Sequence, residues 1–276
     1  MSVGIWRFLD GAPISAVRET AAEVEELGFD ALWFGEYAGR EAFTQAALLL
    51  AATSTLTIAT GVARFDQRSP LAAEGAVRAL GEAYPGRFVA GLGGHRPGAR
   101  PLTALREYLD GMDSAELPGL PQPAPRPRRV LAALGPKLLD LAAERADGAH
   151  PYFVPPEHTA MARERLGPGK YLAVEQAVVL DASPDAAREH VDLYVRQAPH
   201  HQANLRRLGF TDDDLADGGS DRLVDAIVAT GEQAVADRIR AHLDAGADQV
   251  CVQVLARTPD SYRRLADVIR GASLVS

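Results

Sequence analysis

The chain of 276 residues has a formal charge of -8 at pH 7, 24% charged residues and a single cysteine. An acidic balance without a basic run argues against a nucleic-acid surface, and no stretch approaches the ~18 apolar residues of a membrane span. Met1 leads straight into an apolar strand with no signal-peptide pattern, so a cytoplasmic protein is expected. Cys251, alone, excludes an intrachain disulfide and a cysteine-based metal cluster and reads as a small core residue.

Along the chain, strand-like apolar runs alternate with amphipathic helix-like runs eight times. The predicted strands are Val3 to Phe8, Ala31 to Phe34, Leu56 to Val62, Phe88 to Leu92, Val130 to Leu134, Ala149 to Phe153, Leu172 to Leu180 and Gln249 to Leu255. Most lack polar alternation, as parallel strands covered on both faces do. Helix ends are marked by Gly28, Gly148 and Gly246, where the left-handed cap suits glycine. Helix starts are marked by Ser69-Pro70, Gly135-Pro136, Pro155-Pro156 and Ser183-Pro184. Eight such units, without Gly-x-Gly-x-x-Gly after the first strand, predict one domain over residues 1-276: a closed α/β (β/α)₈ TIM barrel, not an open doubly wound sheet.

Two stretches break the rhythm. Leu117 to Pro127 is proline-rich and reads as an extended connection; the short basic stretch Arg126 to Arg129 reads as a solvated loop. Gln197 to Ser220 reads as an irregular insertion in the seventh unit, placed to wall the pocket.

Barrels of this kind carry chemistry on the loops after their strands. The first strand lacks the paired histidines of a metal-dependent hydrolase, and the seven scattered histidines form no metal triad. Gly93-Gly94 would let backbone approach a flat ligand. Gly135 either opens a helix whose amides hold a phosphate, with Lys137 adding charge, or simply makes a tight turn; the helix dipole disfavours a cation at Lys137. Trp6 and Gln253 could line the pocket floor, and Trp33 reads as packing beneath the Glu36 turn.

Leu56-Thr57-Ile58-Ala59-Thr60-Gly61-Val62, Ser69-Pro70-Leu71, Pro85 to Gly93, Leu131 to Lys137, Ala149 to Phe153, Pro156 to Thr159 and Ala245 to Val250 resemble the bacterial luciferase-like superfamily. They look most like an actinobacterial subfamily of oxidoreductases dependent on the deazaflavin coenzyme F-420. The resemblance implies hydride transfer between F-420 and a small organic substrate in a homodimer. The alternatives are an FMN-dependent monooxygenase and a non-catalytic flavin or deazaflavin carrier. It implies that Thr60, Gly61 and Val62 form a bulge against the ring, often through a cis peptide, with Gly93 and Gly94 also fitting the ring. Glu36 would position the ring or a proton; Tyr37, where relatives often carry histidine, or His95 would protonate the substrate. Gly135, Lys137, His158 and Thr159 would hold the phosphate end.

Overall fold

A computed structural model describes residues 2–37, 39–96, 98–181 and 185–274. Eight parallel strands close into a barrel: β1 (Ser2–Arg7), β2 (Ala31–Phe34), β3 (Thr57–Thr60), β5 (Phe88–Gly93), β6 (Arg128–Leu131), β7 (Gly148–Ala149), β8 (Tyr171–Val179) and β10 (Gln249–Val254). Closure comes from β10, which pairs with β1 on one edge and β8 on the other. Two short strands extend the mouth, β4 (Ala63–Arg64) beside β5 and β9 (Ala229–Thr230) beside β8. The helices outside are α1 (Ile14–Glu26), α2 (Ala42–Leu50), α3 (Pro70–Ala83), α4 (Pro101–Asp113), α5 (Pro136–Arg145), α6 (Pro156–Leu166), α7 (Asp185–Gln197), α8 (Pro199–Arg207), α9 (Asp221–Ile227), α10 (Glu232–Asp244) and α11 (Ser261–Gly271). Among the described residues, none of them is long and apolar enough to cross a membrane.

Local signals account for most boundaries. Ser69 caps α3 by accepting from the Ala72 amide, and prolines begin α3, α5 and α6 as expected. Gly28 and Gly246 close α1 and α10 at φ +85° and +100°. Gly148 differs: it lies inside β7, where an added Cβ would fall 1.7 Å from the Tyr171 carbonyl oxygen, so close strand approach, not a cap, requires glycine there. The expected helix start at Ser183-Pro184 lies outside the described residues. The expected sixth strand, Ala149 to Phe153, shrinks to β7 because Pro151 has no amide for a ladder and Phe153 adopts φ +60°.

The proline-rich segment packs without regular structure against α3; at Gly81 an added Cβ would meet Pro127 Cγ at 2.5 Å. Arg129, expected in a solvated loop, is buried in β6 and pairs with Glu74 and Asp113 at the end of the barrel opposite the mouth. The seventh-unit insertion is more ordered than its sequence suggests. Pro199 starts α8, whose Leu205 joins Phe210, Leu215, Val191 and Phe153 in a separate apolar cluster over the barrel.

The barrel interior combines two tryptophans with small residues, Ala31, Ala59, Ala173 and Cys251. Trp33 donates to Gln249 Oε1 at 2.7 Å and stacks on His150 at 4.3 Å between centroids, so it fills the barrel itself.

Candidate active site

A cavity of about 680 Å³ opens at the C-terminal ends of the strands. Trp6, His150 and Tyr152 make its floor. Trp6 Nε1, which can only donate, points at His150 Nε2 at 3.2 Å; the His150 proton therefore sits on Nδ1, which donates to the Ala173 carbonyl at 2.9 Å. Burial pushes the His150 pKa down to about 4, so the ring is a neutral structural support.

Above this pair lies the ledge formed by Gly61, Val62 and Gly93, all facing the cavity. The Gly61-Val62 peptide is cis. A Cβ at Gly61 would sit 2.7 Å from Trp6 Nε1 and 2.8 Å from His150 Nε2, and one at Gly93 would sit 2.6 Å from Val62 Cγ2. Both positions therefore demand glycine, and the ledge is tightly seated on the floor. Thr60 lies beneath it: its hydroxyl exchanges hydrogen bonds with the backbone of Gly91 at 2.8 and 2.9 Å.

Glu36 borders the cavity, but its carboxylate is fully engaged. It accepts from the Ala42 amide at 3.1 Å, the Arg64 amide at 2.6 Å and the Arg68 guanidinium. Tyr37 is 72% exposed and does not line the cavity. His95 and Gly94 do, at the exposed rim.

The opposite wall begins at Gly135, the uncapped N-terminus of α5. Lys137 is exposed and outside the lining; the cation found here is Arg207 of α8, within 3.3 Å of where a Gly135 Cβ would stand. Arg207 donates to Asn204 Oδ1 at 3.1 Å, and among the described residues no carboxylate pairs with it. His158 and Thr159 are fully buried behind this wall. His158 Nε2 donates to the Leu134 carbonyl at 2.8 Å, and the Thr159 hydroxyl donates to Nδ1 of His242 at 2.8 Å; both support the wall without lining the cavity. Tyr194 of α7 and His200 and His201 from the insertion complete the enclosure. Burial pushes the His201 pKa down to about 3, with His200, His190 and His158 adding to the shift.

Sequence reasoning pointed to the glycines and missed Arg207, Tyr194 and the role of His150. His150 lies within a recognisable strand-end segment; Arg207 carried no local signal, since only the fold of the insertion turns it toward Gly135. Gln253, expected near the floor, lies beside it and accepts from the Tyr152 hydroxyl at 2.8 Å. Among the described residues, no cluster of His, Cys, Asp and Glu could hold a metal ion.

A closed barrel with a glycine ledge over the aromatic floor of its cavity and, among the described residues, an arginine without a carboxylate partner over a helix N-terminus defines a site shaped for a flat organic ring with an anionic tail. The chain belongs to the luciferase-like monooxygenase family, whose model matches residues 3–249. It is 25% identical to a coenzyme F-420-dependent oxidoreductase of Mycobacterium tuberculosis, across 84% of this chain and 87% of that one. Among solved structures it resembles the F-420-dependent tetrahydromethanopterin reductase of Methanopyrus kandleri, with a TM-score of 0.77, 19% identity and coverage of 97% and 96%. It also resembles the FMN-bound oxygenating constituent of 3,6-diketocamphane monooxygenase from Pseudomonas putida, with a TM-score of 0.67, 17% identity and coverage of 98% and 96%.

Proposed function

We propose that this chain is an oxidoreductase, working as one cytoplasmic barrel domain, that moves a hydride between coenzyme F-420 and a small organic substrate. The observation that carries this reading is the juxtaposition, in one cavity, of the Gly61-Val62-Gly93 ledge and the Arg207-Gly135 wall. The residues fit the group: the ledge leaves no room for a side chain beneath a ring, and Arg207 supplies a charge that nothing else in the site neutralises. When bound, the deazaflavin supplies a ring carbon that gives or takes hydride. The ledge would set the ring face, while Glu36 would act by fixing the backbone of Arg64, which lines the cavity, and the start of α2 at Ala42. His95 is the rim group nearest to the role of proton donor proposed from the sequence; Tyr37 packs on the lining residue Phe8 but is not itself part of the lining. The M. tuberculosis and M. kandleri relatives favour F-420 over FMN.

The test is an anaerobic titration of the fluorescence of Trp6 and Trp33 with F-420 and FMN separately. Saturable quenching by F-420 supports the proposal; preference for FMN would move the chain to the monooxygenases, and binding without turnover of any reductant would make it a carrier. Arg207→Ala is expected to weaken F-420 binding at least tenfold, since a charged hydrogen bond contributes about 1.5 to 3 kcal/mol. Lys137→Ala is expected to leave it within about twofold, because that side chain does not reach the cavity. Equal losses from the two variants would show that Arg207 is not the anion partner.

We also propose a homodimer. Exposed Leu48 and Leu71 flank a shallow groove between α2 and α3 lined by Phe43, Ala72, Ala76 and Leu80, which a second copy would cover. Sedimentation of a monomer at micromolar concentration would refute this.

A further inference from the structure

The polar groups facing the cavity are mostly committed elsewhere. Both nitrogens of His150 are used, Glu36 is held by two amides and Arg68, and Arg64 is paired with Asp66 at 2.7 Å. His201 also lines the cavity with an Nδ1 that has no hydrogen-bond partner, but burial holds its ring neutral; beside the floor lies a linked pair of hydroxyls. Tyr194 donates to Tyr152 at 2.8 Å, and Tyr152 donates to Gln253 Oε1 at 2.8 Å. Both rings line the cavity, and Tyr152 packs against Trp6 on the floor at 4.9 Å between centroids.

This chain has a direction. It runs from the half-exposed Tyr194 on α7 to Tyr152 at the floor, and its last proton rests on a neutral amide oxygen. Rotation about the Tyr152 C–O bond would break the bond to Gln253 and free that proton for another acceptor. Burial holds both tyrosines in the protonated form far above their ordinary range, with the Glu175 carboxyl also raising each. A phenol of this kind keeps its proton at working pH and releases it only to a stronger base, such as a forming alkoxide.

We propose that Tyr152 hydrogen-bonds and then protonates the oxygen of a carbonyl-bearing substrate, with Tyr194 returning the proton and Gln253 holding the hydroxyl in place. The proposal rests on the hydride-transfer reading above. Hydride from the reduced deazaflavin bonds to the carbonyl carbon, the π pair of the C=O bond moves to oxygen, and that oxygen takes the Tyr152 proton. The product is an alcohol and the cofactor leaves oxidised. Tyr152 Oη then takes the Tyr194 proton along the existing hydrogen bond, and Tyr194 regains one from water. Tyr152 is thus the catalytic residue, and Tyr194 and Gln253 are positioning residues.

The first measurement needs no cofactor: the infrared C=O band of cyclohexanone bound to the apoprotein. In the wild type it is expected at lower wavenumber than in an apolar solvent, and in Tyr152→Phe at the position of an unbonded carbonyl. Tyr194→Phe, which leaves the Tyr152 hydroxyl in place, is expected to keep the shifted band. With reduced F-420 and a ketone, Tyr152→Phe should lower kcat at least 100-fold while F-420 affinity stays within about twofold. Tyr194→Phe should lower kcat with unchanged KM and an altered solvent isotope effect, which a purely structural role would not produce. An unshifted band in the wild type, or an identical band in Tyr152→Phe, would overturn the proposal. Failure of F-420 to bind would instead refute the hydride reading, with the infrared comparison still deciding whether Tyr152 grips a carbonyl.

Discussion

Lowering the pH from 7 to 5 is expected to unfold this protein cooperatively. Five histidines are buried, and desolvation is the main cause depressing each: His150, His158 and His190 to about 4, and His201 and His242 to about 3. Their value in an unfolded chain is near 6.5. The unfolded state therefore binds more protons between the two values, and stability is lost as the pH falls below about 6.5. At pH 5 each group costs on the order of 2 kcal/mol, so that together they rival the whole stability of a typical domain, about 5 to 15 kcal/mol. Glu175 works the other way. Its carboxyl is pushed up to about 8 by burial, so it favours the folded state increasingly as the pH falls from 8 toward 4.5. One carboxyl offsets only a fraction of five histidines. Far-UV circular dichroism against pH should show a midpoint between about pH 5 and 6.5. His190 packs on the rings of Phe153 and Tyr194 and has no hydrogen-bond partner for its Nε2, so His190→Phe should move that midpoint to lower pH. A protein still folded at pH 4 would mean that these rings are not held neutral by burial.

Replacing Glu36 by alanine is expected to cost about 3 kcal/mol. Arg68 is only 8% exposed at its side chain, and among the described residues its one carboxylate partner besides Glu36 is the half-exposed Glu41, at 3.0 Å. Removing Glu36 strands most of that buried charge and leaves the Arg64 and Ala42 amides without their acceptor. For a chain of this size the thermal midpoint should fall by roughly 5 °C. Glu36→Gln keeps an acceptor but loses the charge, and should cost less. The pair of variants separates two roles: a structural Glu36 predicts that Glu36→Gln retains much of the turnover, whereas a proton-carrying Glu36 predicts loss of turnover with stability nearly intact. An unchanged midpoint in Glu36→Ala would remove the structural role.

The site was partly legible before any tertiary structure. Gly93 was legible as a place where backbone could approach a flat ligand and Gly61 through the family resemblance; the close neighbours found at these positions are Val62 for Gly93 and Trp6 and His150 for Gly61. Glu36 was recognisable as an unusual carboxylate at a strand end, but its engagement by Arg68 was not, because the two lie on different β/α units. Lys137 drew attention by sitting beside Gly135 in sequence; Arg207 of a distant helix occupies the place instead. The insertion walls the pocket as expected, but its helical order and the burial of its histidines were not legible. Pro199-His200-His201 reads as a polar loop, whereas in the fold His201 is buried among Tyr152, Phe153 and Tyr194.

The barrel, its eight units and the end of it that carries the loops follow from the sequence alone, because apolar periodicity, proline starts and glycine caps act over a few residues and need no distant partner. Which polar groups at the mouth are spent on structure and which face the cavity was settled only by the tertiary fold. A buried donor or acceptor must find a partner, and here the partners arrive from other units: Trp6 for His150, Arg68 for Glu36, His242 for Thr159 and Tyr194 for Tyr152. Closure of the barrel brings these pairs together, and no local pattern in the chain encodes them.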